Sequence, residues 1–174
     1  MKKLSILIAL LMALPVILSF GIMKGLEKKI DREIKDEFEV SHYTHEGVEV
    51  SKELQQQMPS RVSNDNFFRL KSEGELLGYV YLNQAPSKTA EFDYLVIFDK
   101  DLAIARTKVL VYREEYGGEI GSRRWLRQFT GKSKAGELDN IAAISGATIS
   151  VRSMKKAVKN ILSSIEIMEQ NSVL

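Results

Sequence analysis

The chain has 174 residues, 44% hydrophobic and 28% charged, and its 25 Lys and Arg against 23 Asp and Glu give a formal charge of +2. That balance lacks the strong basic excess of most nucleic-acid-binding domains, so no nucleic-acid partner is expected. The absence of cysteine excludes disulfides, thiolate metal sites, iron–sulfur clusters and a lipid-modified N-terminal Cys.

The first element is Leu4 to Met23, LSILIALLMALPVILSFGIM, uncharged and preceded by Lys2 and Lys3. As a helix it would span roughly 30 Å, about one hydrocarbon core. The run ends in SFGIMKG, a poor cleavage site, so residues 1–25 read as an uncleaved transmembrane anchor in preference to a cleaved signal segment. Lys24, Lys28, Lys29 and Arg32 balance the charges in front of the run, and the count does not choose an orientation. About 150 residues remain beyond it, enough for one core of ordinary size.

Leu26, Ile30, Ile34 and Phe38 recur every four residues among charged neighbours. They predict a charged linker helix over 26–40 with one narrow apolar stripe. From Ser41 to Asn66 the pattern weakens into polar, loop-rich sequence with Pro59 as a breaker. His42 and His45 lie here without a third ligand nearby, so no metal site is expected. The period then changes to two. Phe67–Leu70, Leu76–Leu82, Phe92–Phe98 and Ala103–Tyr112 read as strands separated by short turns, which argues for antiparallel hairpins. After YGGEIGS, RRWLRQF and GKSKAGELD, the residues Val151, Met154, Val158, Ile161, Ile165 and Met168 predict a final helix of about five turns. The expected fold is α+β: an antiparallel sheet packed with helices in one domain over 41–174, preceded by one membrane helix.

The stretch AAISGATISVRSM places Ser145, Thr148, Ser150 and Gly146 at the entrance of that helix, more hydroxyls than one cap requires. Ser150 immediately precedes the periodic run and is the expected N-cap, with Ser145-Gly146 as an ordinary turn on the simplest reading. A helix entrance also presents unpaired N–H groups and partial positive charge, which suit a phosphate, and Gly146 and Ala147 lack bulk. Arg152, Lys155, Lys156 and Lys159 follow, and Arg123, Arg124, Arg127, Lys132 and Lys134 form a second basic run. Together they make an anionic ligand plausible without identifying it. No G-x-x-x-x-G-K-[ST] occurs, and YGGEIG lacks the strand–helix context of a dinucleotide site. No paired catalytic carboxylates, triad or metal cluster is evident, so no catalytic residue is assigned.

Ser145-Gly146-Ala147-Thr148 resembles the S/T-G-A-T/S flavinylation motif of the FMN-binding domain family. That family includes the membrane-anchored flavin subunits of sodium-pumping NADH:quinone reductase and of the Rnf electron-transport complex. The upstream order is also similar over 76–165: a hairpin strand, a Glu- and Gly-rich loop from Glu115 to Gly121, and an aromatic, polar helix with Gln128-Phe129 and Gly131-Lys132. The resemblance implies FMN carried on Thr148 Oγ through a phosphoester, placed there from FAD by a separate flavin transferase. Ser145, Gly146 and Ala147 would hold phosphate oxygens, with Ser150 capping the helix behind them. Glu119, Trp125 and Tyr116 are candidates for packing or hydrogen-bonding the flavin ring. The implied role is a membrane-anchored flavoprotein relaying electrons on the extracytoplasmic (periplasmic) side, to redox partner proteins or within a membrane complex. Two departures stand out. Ala142 occupies a position where the family usually has Asp, and Tyr116-Gly117-Gly118-Glu119-Ile120 replaces the usual Thr-Pro-Gly-Leu. The first motivates an alternative, a module holding FMN or another anion reversibly; a further alternative is a flavin-free structural domain with SGAT kept only as a helix cap.

Overall fold

A computed structural model describes residues 26–174, so the expected anchor over 1–25 lies outside the described residues. Helix α1 (Glu27–Phe38) leads to strand β1 (Thr44–Gly47), the single turn α2 (Lys52–Gln55), and strands β2 (Phe67–Ser72), β3 (Glu75–Pro86), β4 (Glu91–Asp99) and β5 (Ile104–Val111). Short 3₁₀ turns at Gly118–Gly121, Arg127–Phe129 and Ala135–Leu138 flank the single turn α3 (Arg123–Leu126), and α4 (Thr148–Gln170) ends the fold. Among the described residues no helix is long and apolar enough to cross a membrane.

The five strands form one sheet in the order β1-β2-β3-β4-β5, each antiparallel to its neighbour. This is the α+β arrangement that the short turns predict. Strand β1 was not anticipated, because THEG carries no strand-forming pattern. It exists by pairing, with Thr44 opposite Lys71 and Gly47 opposite Phe68.

Alternation along the strands divides the apolar residues between two cores. Phe67, Tyr79, Tyr81, Phe92, Tyr94, Val96 and Phe98 form a largely aromatic face that packs against Val151, Met154, Val158, Ile161, Ile165 and Met168 of α4. Phe68, Leu70, Val80, Leu82, Leu95, Ile97 and Leu110 form an aliphatic face that receives Ile30 and Ile34 of α1, both 0% exposed. The helix expected as a linker is therefore an outer layer of the domain.

Polar contacts fix α1 against the edge strand β5. The Lys29 ammonium donates to the Leu110 carbonyl, and the Glu33 carboxylate receives Arg106 at 3.1 Å and Lys108 at 2.7 Å. Arg106 also pairs with Glu37. Burial pushes the Glu33 carboxyl upward, but the hydrogen bonds and charges of Lys108 and Arg106 outweigh it and hold the group below the usual glutamate range. The stabilisation from a depressed carboxyl is present above the unfolded-state value and is lost as pH falls through the folded one. Glu33→Gln is expected to cost about 2 kcal/mol at neutral pH. Thermal melts of the two proteins should differ most near neutrality and converge on acidification below the ordinary glutamate range. A gap that stays constant with pH would remove the ionic explanation.

Candidate functional site

The final helix begins three residues earlier than its cap pattern suggests. Thr148 is its first residue, Ala147 stands at the N-cap position, and no side chain caps the helix. The expectation that Ser150 is the cap is therefore corrected. Ser150 lies in the first turn, 3% exposed, with its hydroxyl 3.0 Å from that of Tyr112. The phase of the apolar stripe gives the reason. Ala147 is 3% exposed in the main core, and Ala147, Val151, Met154 and Val158 continue one buried stripe back by a turn. The first backbone bond at this end runs from Val151 N–H to the Ala147 carbonyl at 2.9 Å, so the amides of Thr148, Ile149 and Ser150 precede the ladder.

Burying Ala147 turns the next residues outward. Ser145, Gly146, Thr148 and Ile149 are exposed, so the motif presents the Thr148 hydroxyl to solvent. Gly146 has φ +84°, and a Cβ built there would meet nothing within 4 Å. The residue is glycine for its left-handed backbone, and the space beside it is open. The bulk missing from Ala147 serves packing, because its methyl faces the core.

The segment before the motif is held from several sides. The Trp125 indole N–H donates to the Ala142 carbonyl at 2.7 Å, and the Ala142 N–H donates to Gln128 Oε1 at 2.9 Å. From α4, the Lys155 ammonium reaches the Ile141 carbonyl at 3.0 Å, and Lys159 pairs with the Asp139 carboxylate at 2.8 Å. The Lys159 hydrogen bond and charge hold the Asp139 carboxyl below its ordinary range. Two of the four cations following the motif thus secure the loop, leaving Arg152 and Lys156 exposed toward solvent. Trp125 is 4% exposed and packs edge-on against Phe129 at 5.1 Å, so it shapes the loop from within the core instead of offering a ring face to a ligand.

The glycine loop after β5 closes the other side. Its base is tied back by Glu114, whose carboxylate accepts from the Ser87 hydroxyl and the Thr89 N–H, each at 2.6 Å. Those bonds, with further ones from Ala90 and Thr89, hold the Glu114 carboxyl down to about 2. Further along, Gly117 has φ +86°, and a Cβ there would lie 2.7 Å from the Tyr112 hydroxyl and 3.5 Å from the Gly146 carbonyl oxygen. The loop and the motif therefore meet backbone to backbone. Tyr116 is 81% exposed beside this contact, and Glu119 is exposed in the following 3₁₀ turn. Ile149, at 49%, is the other large hydrophobic exposed among the described residues. It was not singled out from the sequence, although an isoleucine out of phase with the buried stripe and next to Thr148 was a usable signal. Tyr112 and Gln128 left no comparable trace, because their partners are distant in the chain.

A separate cleft of about 450 Å³ lies between α1, β5 and the 121–130 segment and includes none of the motif residues. Its Arg106 and Lys108 are engaged by Glu33 and Glu37. Among the described residues no group of three His, Cys, Asp or Glu side chains is placed to hold a metal.

The two glycines predict different penalties. Gly146→Ala meets backbone strain alone and should cost about 1 kcal/mol. Gly117→Ala adds a collision with the Tyr112 hydroxyl and should cost roughly 1–3 kcal/mol more. Urea denaturation of the two variants checks the order, and equal midpoints would contradict the close packing at Gly117.

No curated protein matches the chain. A match does come from a family model, over residues 89–163, from the turn before β4 into α4 and so across the glycine loop, the Trp125 segment and the motif. That model describes the FMN-binding domain, and residues 89–163 are similar to it.

Proposed function

We propose that the protein is a membrane-anchored flavoprotein that carries FMN covalently on Thr148 and relays electrons on the extracytoplasmic side. The observation that carries the attachment is the exposed Thr148 hydroxyl at an uncapped helix entrance, beside the open space at Gly146. A phosphate esterified to Thr148 Oγ fits this setting. The amides of the first turn are ahead of the helical ladder, and the helix end contributes partial positive charge. Ser145 and the backbone of Gly146 and Ala147 border the same position.

The chain offers no neighbouring His or Cys to activate the hydroxyl, and a threonine at its ordinary pKa is a poor nucleophile. A separate flavin transferase supplies the base. Thr148 Oγ bonds to the flavin-side phosphorus of FAD, the pyrophosphate link breaks, AMP departs and the hydroxyl proton passes to the transferase. FMN, once bound, supplies one- and two-electron transfer, and the protein sets its position and solvent access. A covalent tether makes an enclosed cleft unnecessary, which suits an exposed site used by partner proteins. The uncharged run Leu4–Met23 supports attachment to the cell membrane by a single pass, with a redox protein or membrane complex as the partner.

Co-expression of the full chain with a flavin transferase tests this directly. Wild type should give a flavin-fluorescent band on a denaturing gel and a mass increased by one FMN less one water. Thr148→Ala should be dark, and Thr148→Ser should retain the band. Flavin that copurifies but leaves on denaturation would replace the ester with reversible binding. A Thr148→Ala band as bright as wild type would move the attachment elsewhere.

A further inference from the structure

Tyr112 stands at the junction of the core, the glycine loop and the final helix. Its ring packs against Phe92, with centroids 6.0 Å apart, at the edge of the aromatic face. Its hydroxyl donates to the Tyr116 carbonyl at 3.0 Å and lies 3.0 Å from Ser150 Oγ. With the tyrosine proton on that carbonyl, the Ser150 hydroxyl donates to the tyrosine oxygen. One phenol thus links the loop to the first turn of α4.

The link matters because little else holds the loop tip. Gly117 and Gly118 contribute no side chains, and Tyr116 is 81% exposed, so side-chain packing does not fix its position. Gly117 allows the backbone to close on the Tyr112 oxygen, since any Cβ would sit 2.7 Å from it. The closed loop also brings Gly117 beside Gly146. The two large hydrophobic side chains left exposed among the described residues, Tyr116 and Ile149, are therefore carried on the two segments that meet there, Tyr116 next to Gly117 and Ile149 next to Thr148. Single exposed apolar residues are ordinary, but a pair confined to one attachment point calls for a ligand with an apolar face.

We propose that Tyr112 is a positioning residue of the flavin site: its hydroxyl latches the Tyr116–Gly118 loop to Ser150, so that Tyr116 and Ile149 cover the isoalloxazine of the FMN carried on Thr148. This rests on the flavin reading above. The ring receives an aromatic face from the loop and an aliphatic one from the helix, and the rest stays accessible to partners. Tyr112 acts through Tyr116 and does not itself need to touch the flavin.

The test measures fluorescence yield and anisotropy per bound flavin in the native, full-length, flavinylated protein. A tyrosine stacked on a flavin quenches its emission by donating an electron to the excited ring. Tyr116→Ala should therefore brighten each flavin severalfold and lower its anisotropy, and Ile149→Ser should lower the anisotropy. Tyr112→Phe keeps the ring against Phe92 and should shift both signals in the direction of Tyr116→Ala. Ser150→Ala, cutting the latch at its other end, should do the same. A loss of stability alone would not brighten the bound flavin in protein that remains folded. If Tyr116→Ala and Ile149→Ser leave the signals unchanged, the ring lies elsewhere and the proposal fails. If those two respond while Tyr112→Phe and Ser150→Ala match wild type, the latch is overturned and the ring seat stands. Wild type without covalent flavin overturns the functional reading first, an outcome separate from both.

Discussion

Strands β3 and β4 are buried through most of their length on both faces, and a sheet with two apolar faces must be covered twice. Helix α1 covers the aliphatic face and α4 the aromatic one. At roughly 25 cal/mol for each Å² of apolar surface removed from water, these two contacts dominate the favourable side of folding. The ion pairs between α1 and β5 add direction to the first contact, since Arg106 and Lys108 meet carboxylates at only one register of the helix. Neither helix can turn about its axis without withdrawing its stripe from the sheet.

That constraint determines the chemistry available at the motif. The rotation of α4 is set by Val151, Met154, Val158 and Ile161 against the sheet, and the same phase carries Ala147 inward. Thr148 and Ile149 are then obliged to face outward, because successive helical residues are about 100° apart. The exposure of the threonine is a consequence of core packing three turns away. The Thr148 side chain is consequently open to solvent, with Gly146 leaving space next to it.

The sheet was legible because period-two apolar runs separated by short turns have few alternative foldings; β2, β3 and β4 extend the expected strands by a few residues, and β5 stops one residue short at each end. The stripe of α1 was legible as well. Its destination was not, since a four-residue repeat gives a face without naming the surface it meets. Strand β1 shows the opposite failure: THEG has no strand character of its own, and the partner strand imposes the conformation. At the site, the motif was visible in four residues, whereas its exposure depended on the packing of the helix and the cap was misassigned by giving Ser150 priority over the stripe. Ala147 belongs to that stripe, and counting back from Val151 by four would have placed the helix start correctly. The Tyr112–Ser150 bond spans 38 residues and leaves no local pattern. The indole of Trp125, read as a ring contact, belongs to a support behind the loop, a role that depends on the position of Ala142 in space.

Ala142, where the family usually has an acid, is best understood through that support. Its carbonyl is taken by Trp125 and its N–H by Gln128, while Lys155 and Lys159 secure Ile141 and Asp139 from the opposite side. A carboxylate at this position is not required to shape the segment leading to the motif, because the backbone already has its partners from side chains elsewhere. Ala142 is also exposed, so an acid there would point its charge outward. The fold of the loop therefore does not depend on a carboxylate at this position. The glycine loop has no proline and carries two adjacent glycines, Gly117 and Gly118. The Tyr112 hydroxyl, on a ring packed against Phe92, bonds the Tyr116 carbonyl of that loop and Ser150 of the final helix, so the two segments share one side chain.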